Sequence, residues 1–145
     1  MKKELIAIAA AAVVLIGLIV AFGISAGETK IQFEKVSEKA MPRELEADIL
    51  PEYRQLERAL ACKIGDQIYI VVTRGEKPTS GFEAEIEKVT LEKKDNKSNL
   101  IVYATFADPA NGEDMAQITS YPYAVVKAEM KGLPDTVELR AEYVK

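Results

Sequence analysis

At 145 residues the chain has room for one domain with a core of its own. It has no histidine and a single cysteine, which removes the commonest general base and neutral metal ligand, any Cys–His nucleophilic pair and any internal disulfide. The formal net charge of −4 lacks the concentrated basic surface that phosphate binding needs, so nucleic acid is excluded as an expected partner; no metal, cofactor or catalytic residue is expected either.

Residues 5–27, LIAIAAAAVVLIGLIVAFGISAG, carry no charged side chain. A helix of that length covers the ~30 Å hydrocarbon core of a bilayer. Lys2 and Lys3 put its start in the cytoplasm by the positive-inside rule, so the rest of the chain is expected outside. The competing reading is a cleaved signal peptide, with Ser25, Ala26 and Gly27 as a cleavage region. Its apolar part would run only ~7 to 15 residues, which favours an uncleaved anchor. The chain therefore divides into a membrane anchor or signal segment, 1–27, and an extracytoplasmic domain, 28–145. Cys62, alone in that domain, is expected to be buried.

Within the domain, KIQFEKV (30–36) alternates apolar and polar residues as a half-buried strand does. The period then changes: Leu45, Ile49, Tyr53, Leu56 and Leu60 share one face of a helix, giving a helical insert near residues 43–61. Pro51 falls inside it and predicts a kink or two short helices. QIYIVVTR (67–74) is a nearly continuous apolar run, as in a strand covered on both faces. FEAEIEKVTL (82–91) alternates but changes phase, which a β-bulge near Glu87 and Lys88 would absorb. LIVYATFA (100–107) is a further strand. YPYAVVKAEM (121–130) and VELRAEYV (137–144) read as a closing hairpin, with Pro122 at a strand entrance. Six strands and a helical insert predict a mainly β domain, an antiparallel sandwich or barrel.

Two connections stand out. In GEKPTSG (75–81), Pro78 fixes its own φ and Gly75 and Gly81 permit positive φ, so the turn is well defined. Thr79 and Ser80 lie at its tip, but without histidine, and without a G-x-S-x-G elbow, neither is a credible nucleophile. Too few glycines are present for a phosphate loop. DPANGEDMAQITS (108–120) is long enough to ask for a functional reason. Counting strand directions places it at the same end as 75–81, so Thr79, Ser80, Asn111 and Met115 are expected to face a partner together.

GEKPTSGFEAEIEKV, followed some thirty residues later by SYPYAVVKAE, resembles the PrcB C-terminal domain family, with its G-x-x-P-T-x-G-[YF] turn and a later T-Y-P-Y-like strand. The resemblance spans residues 64–130. It implies a non-catalytic, extracytoplasmic accessory protein that associates with and stabilises a secreted or surface protease, with Pro78, Thr79, Ser80, Gly81, Phe82, Asn111, Met115, Tyr121 and Tyr123 as the partner-binding set. The same turn is similar to the N-P-T-T-G-Y loop of chagasin-type cysteine-protease inhibitors, which are immunoglobulin-like sandwiches. Lys77, Ser80 and Phe82 depart from that pattern, and the family's G-x-G-G and R-P-[WF] loops have no counterparts. A third reading, an envelope domain that binds a small ligand or glycan, rests on Tyr103, Tyr121 and Tyr123 as an aromatic face.

Overall fold

A computed structural model of the chain describes residues 7–10, 14–16, 28–110 and 115–144. Among the described residues ten strands form two five-stranded sheets. The strands are β1 (Ala7–Ala10), β2 (Val14–Ile16), β3 (Glu28–Lys30), β4 (Phe33–Lys35), β5 (Glu57–Ile64), β6 (Gln67–Arg74), β7 (Glu83–Lys94), β8 (Lys97–Ala107), β9 (Tyr123–Ala128) and β10 (Thr136–Val144). The first sheet has the order β1-β5-β6-β9-β4 and the second β2-β10-β8-β7-β3. Of the two architectures predicted, this is the sandwich.

The alternation in the strands explains the layering. Ile70 and Val72 of β6 meet Ile86, Val89, Leu100, Val102 and Phe106 of the facing sheet in the inter-sheet core. Val71 points the other way and joins Leu60, Cys62 and Val125 beneath Leu45, Ile49 and Leu50 of the helical insert. β6 is thus covered on both faces, as its unbroken apolar run requires. Cys62 is fully buried and free, and burial pushes its thiol pKa up to about 12. The expected bulge is present: the β7–β8 register shifts between Ile86 and Lys88, which returns Val89 and Leu91 to the core side. A two-residue turn joins these strands, with positive φ at Asp95 (53°) and Asn96 (64°), the type I′ geometry that matches strand twist.

Several expectations are corrected. The helical insert is shorter than 43–61. A π-helical turn, Leu45–Ile49, runs into α1 (Leu50–Tyr53), with Pro51 just past the junction. Leu56 is 47% exposed, and Leu60 belongs to β5. Residues 59–62 are buried on both strand faces, so Leu60 reaches the same cluster as Leu45 from a strand, and its spacing mimics one more helical turn. The single strand at 30–36 is two, β3 and β4. The chain changes sheets between them, around the buried Ile31. The closing hairpin does not form. β9 pairs with β6 and β4, whereas β10 crosses to the other sheet and runs parallel to β8; Pro134 and its neighbours make a sheet-to-sheet crossing rather than a turn. Pro122 lies immediately before β9.

The membrane helix expected over residues 5–27 falls mostly outside the described residues. Its described parts are strands: β1 pairs antiparallel with β5, and β2 parallel with β10. No helix among the described residues is long and apolar enough to cross a membrane. Apolarity sets what a segment avoids, not its backbone geometry, and the outer edges of β5 and β10 offer unpaired backbone to an extended apolar run.

Candidate functional site

The connection between β6 and β7 (75–82) and that between β8 and β9 (108–122) emerge at the same end of the sandwich, as strand counting predicts. They are also fastened to each other. Lys77 and Ser120 form an isolated antiparallel bridge, each N–H donating to the other's carbonyl at 2.9 Å. Ser80 N–H donates to Ala116 O at 3.1 Å, and Ala116 N–H returns a bond to Ser80 Oγ at 2.8 Å. Ser120 Oγ donates to Thr79 O at 2.7 Å. Tyr121 Oη donates to Glu76 Oε1 at 3.1 Å. Gly75 and Gly81 take the positive φ expected of them, +93° and +95°.

Beneath the loops sits Arg74, only 3% exposed. One terminal nitrogen donates to Ala107 O at 2.7 Å and to Glu83 O at 3.3 Å. The other forms an ion pair with Asp108, the first residue of the long loop. Phe82, Phe106 and Tyr143 surround the guanidinium, with centroids 5.2, 5.3 and 5.9 Å away. A planar cation with a rigid fork of donors suits this position, because it ties the ends of β7 and β8 to the loop in one stroke. Its Nε is buried and has no partner among the described residues. Tyr143 closes the ring by a hydrogen bond to Glu57, and its phenol pKa is raised, first by burial and then by that carboxylate.

The expected partner-binding residues divide into three groups. Pro78 and Gly81 are exposed. Thr79, Ser80 and Met115 are half-buried and face the loop pair itself: Ser80 Oγ accepts from Ala116, and Thr79 Oγ1 lies 3.7 Å from Met115 Sδ. These side chains hold the two loops together before they can offer anything to a partner. Phe82 is half-buried between Arg74 and Lys77, whose Nζ is 5.7 Å from its ring. Asn111 lies outside the described residues. Tyr121 carries the Arg54 guanidinium 4.2 Å above its ring, and Tyr123 packs on the helical-insert cluster. Burial, then Glu38 and Glu46, raise the Tyr123 phenol pKa.

Tyr103 is not with them. It is a buried residue of β8, its Oη accepting from Arg140 at 3.1 Å and its ring facing Lys88. The three tyrosines therefore do not make one aromatic face. Sequence reasoning missed Arg74, Asp108 and Ile118. A lone arginine ending an apolar strand gives no sign that its partner stands 34 residues on. Ile118, 61% exposed in the long loop, is the most exposed of the large apolar side chains at this end among the described residues; Leu56, Tyr143 and Val144 are exposed there too. Among the described residues no group of three or more His, Cys, Asp or Glu could hold a metal ion.

Comparison with curated proteins and with solved structures finds no match. A family model does match: residues 68–129, which run from β6 through both fastened loops into β9, fit the family described as PrcB C-terminal.

Proposed function

We propose that the chain is a non-catalytic, protein-binding module, working outside the cytoplasm as an accessory or stabilising subunit of a surface or secreted protease. The family match supports the protease association. The observation that carries the binding surface is the mutual bonding of Ser80 with Ala116 and of Lys77 with Ser120. Two loops held in one conformation lose little entropy on docking, which favours recognition. Pro78, Gly81 and Ile118 are among the exposed residues of that surface. An inhibitor of chagasin type would push a free turn into a cleft, and here the hydroxyls of that turn are engaged at home. Residues 5–27 are proposed as the membrane attachment, on the ground of their uncharged length, which requires Ala7–Ala10 and Val14–Ile16 to leave the edges of β5 and β10 on which they pair here.

The test is capture from native envelopes. Crosslinked, detergent-solubilised full-length protein should bring down a protease, and Ile118→Asp should reduce capture at least tenfold with an unchanged unfolding midpoint. Undiminished capture would move the interface off these loops. Loss of papain-like activity on adding the wild-type protein would replace the stabiliser with the inhibitor. Release from membranes in a carbonate wash would remove the anchor.

A further inference from the structure

We infer that the free edge of β7 over residues 83–88 is a docking strand for an extended, basic segment of a partner polypeptide. β7 is 12 residues long, yet β3, its neighbour on that side, pairs only with Thr90, Leu91 and Glu92. Ile31 adds one bond, its N–H donating to Val89 O at 2.8 Å. The chain then leaves for the other sheet, where β4 pairs with β9. Among the described residues no strand pairs with the outward side of residues 83–88. In an antiparallel strand every second residue there turns both its N–H and its C=O away from the sheet. A slot of about 260 Å³ beside this edge is lined by Ala84 and Ile86 of β7, Ala124 and Val126 of β9, and Lys35 and Val36. Such an edge satisfies its backbone by taking on another strand.

The side chains narrow the occupant. Glu83, Glu85 and Glu87 alternate along the open stretch. Lys35 pairs with Glu85, and the Glu87 pKa is raised, first by burial and then by the neighbouring Glu85 carboxylate. Three carboxylates set against Lys35 leave the row net negative. A second copy laid antiparallel along it would face glutamate with glutamate, which disfavours self-pairing. A strand with lysine or arginine at alternate positions sets cations against these carboxylates, and its intervening apolar residues lie over the slot. The bulge between Ile86 and Lys88 ends regular pairing, so the site takes about five residues of the partner.

The test uses isotope-labelled full-length protein in detergent, titrated with the acetylated, amidated peptide Lys-Val-Lys-Val-Lys-Val. The amide resonances of residues 83–88 should shift, and their hydrogen exchange should slow at least tenfold at saturation. The same peptide with glutamate for lysine, and one N-methylated at alternate residues, should each bind at least tenfold more weakly. The inference fails if the N-methylated peptide binds as well as the parent, since attraction then needs no strand addition. It fails equally if the shifts map to other residues, if nothing binds at millimolar peptide, or if the edge proves to be occupied by a second copy of the chain.

Discussion

Gly81 faces Pro109 so closely that a β-carbon on the glycine would lie 2.9 Å from the proline Cβ. The two residues belong to different loops, and the missing side chain is what lets those loops touch. Gly81 also has φ of +95°, which an L-residue rarely adopts. Gly81→Ala should therefore cost about 2–3 kcal/mol in urea unfolding, from backbone strain together with the clash. It should also speed exchange of the Ser80 and Ala116 amides. Gly132→Ala, with open space around its Cβ position and no positive φ, is the control and should change stability by less than about 0.5 kcal/mol.

Arg74 is the fastening under the loops. Arg74→Leu would keep most of the ring packing but strand the Ala107 and Glu83 carbonyls and leave Asp108 without its cation. Because Asp108 remains 37% exposed, water compensates part of that loss, and the expected cost is about 2–4 kcal/mol rather than the upper end for buried pairs. Arg74→Lys should recover only part of it, since an ammonium cannot span both carbonyls and the carboxylate. Full recovery by lysine would show that charge alone matters here.

Cys62 should be inert to thiol reagents in the native protein. Its pKa of about 12, raised from 9.0 by burial, lowers the thiolate fraction at pH 8 roughly a thousandfold. Labelling should become complete in denaturant. The fold keeps the thiol neutral while the unfolded chain ionises, so this group's contribution to stability is present below pH 9 and is lost as pH rises from about 9 to 12. The drop in urea midpoint between pH 8.5 and 10.5 should accordingly be smaller in Cys62→Ala than in the wild type.

Asn96, at φ of 64° in the second place of the β7–β8 turn, sits where glycine is preferred. Asn96→Gly should raise stability by about 0.5 kcal/mol, and Asn96→Val should lower it by about 1–2 kcal/mol. Thermal unfolding of both variants checks the sign.

The sequence by itself determined whatever depends on neighbours in the chain. A nearly continuous apolar run marked β6, alternation marked β7, and a change of phase located the bulge, because the pleat has a period of two and a slip must be absorbed somewhere. Gly75, Pro78 and Gly81 announced a defined turn through their own backbone limits. Short connections between antiparallel neighbours placed the two loops at one end. Tertiary structure alone decided the rest. β5 hid inside a helical spacing, since a strand buried on both faces shows no alternation. The closing hairpin gave way to a crossing that sets β10 parallel to β8, because Val137, Leu139 and Ala141 are needed in the inter-sheet core and strand partners are chosen by burial at a distance. The pairing of Arg74 with Asp108 and the locking of Ser80 to Ala116 join residues some 35 positions apart. No local pattern encodes such contacts; the packing of two sheets brings their ends together.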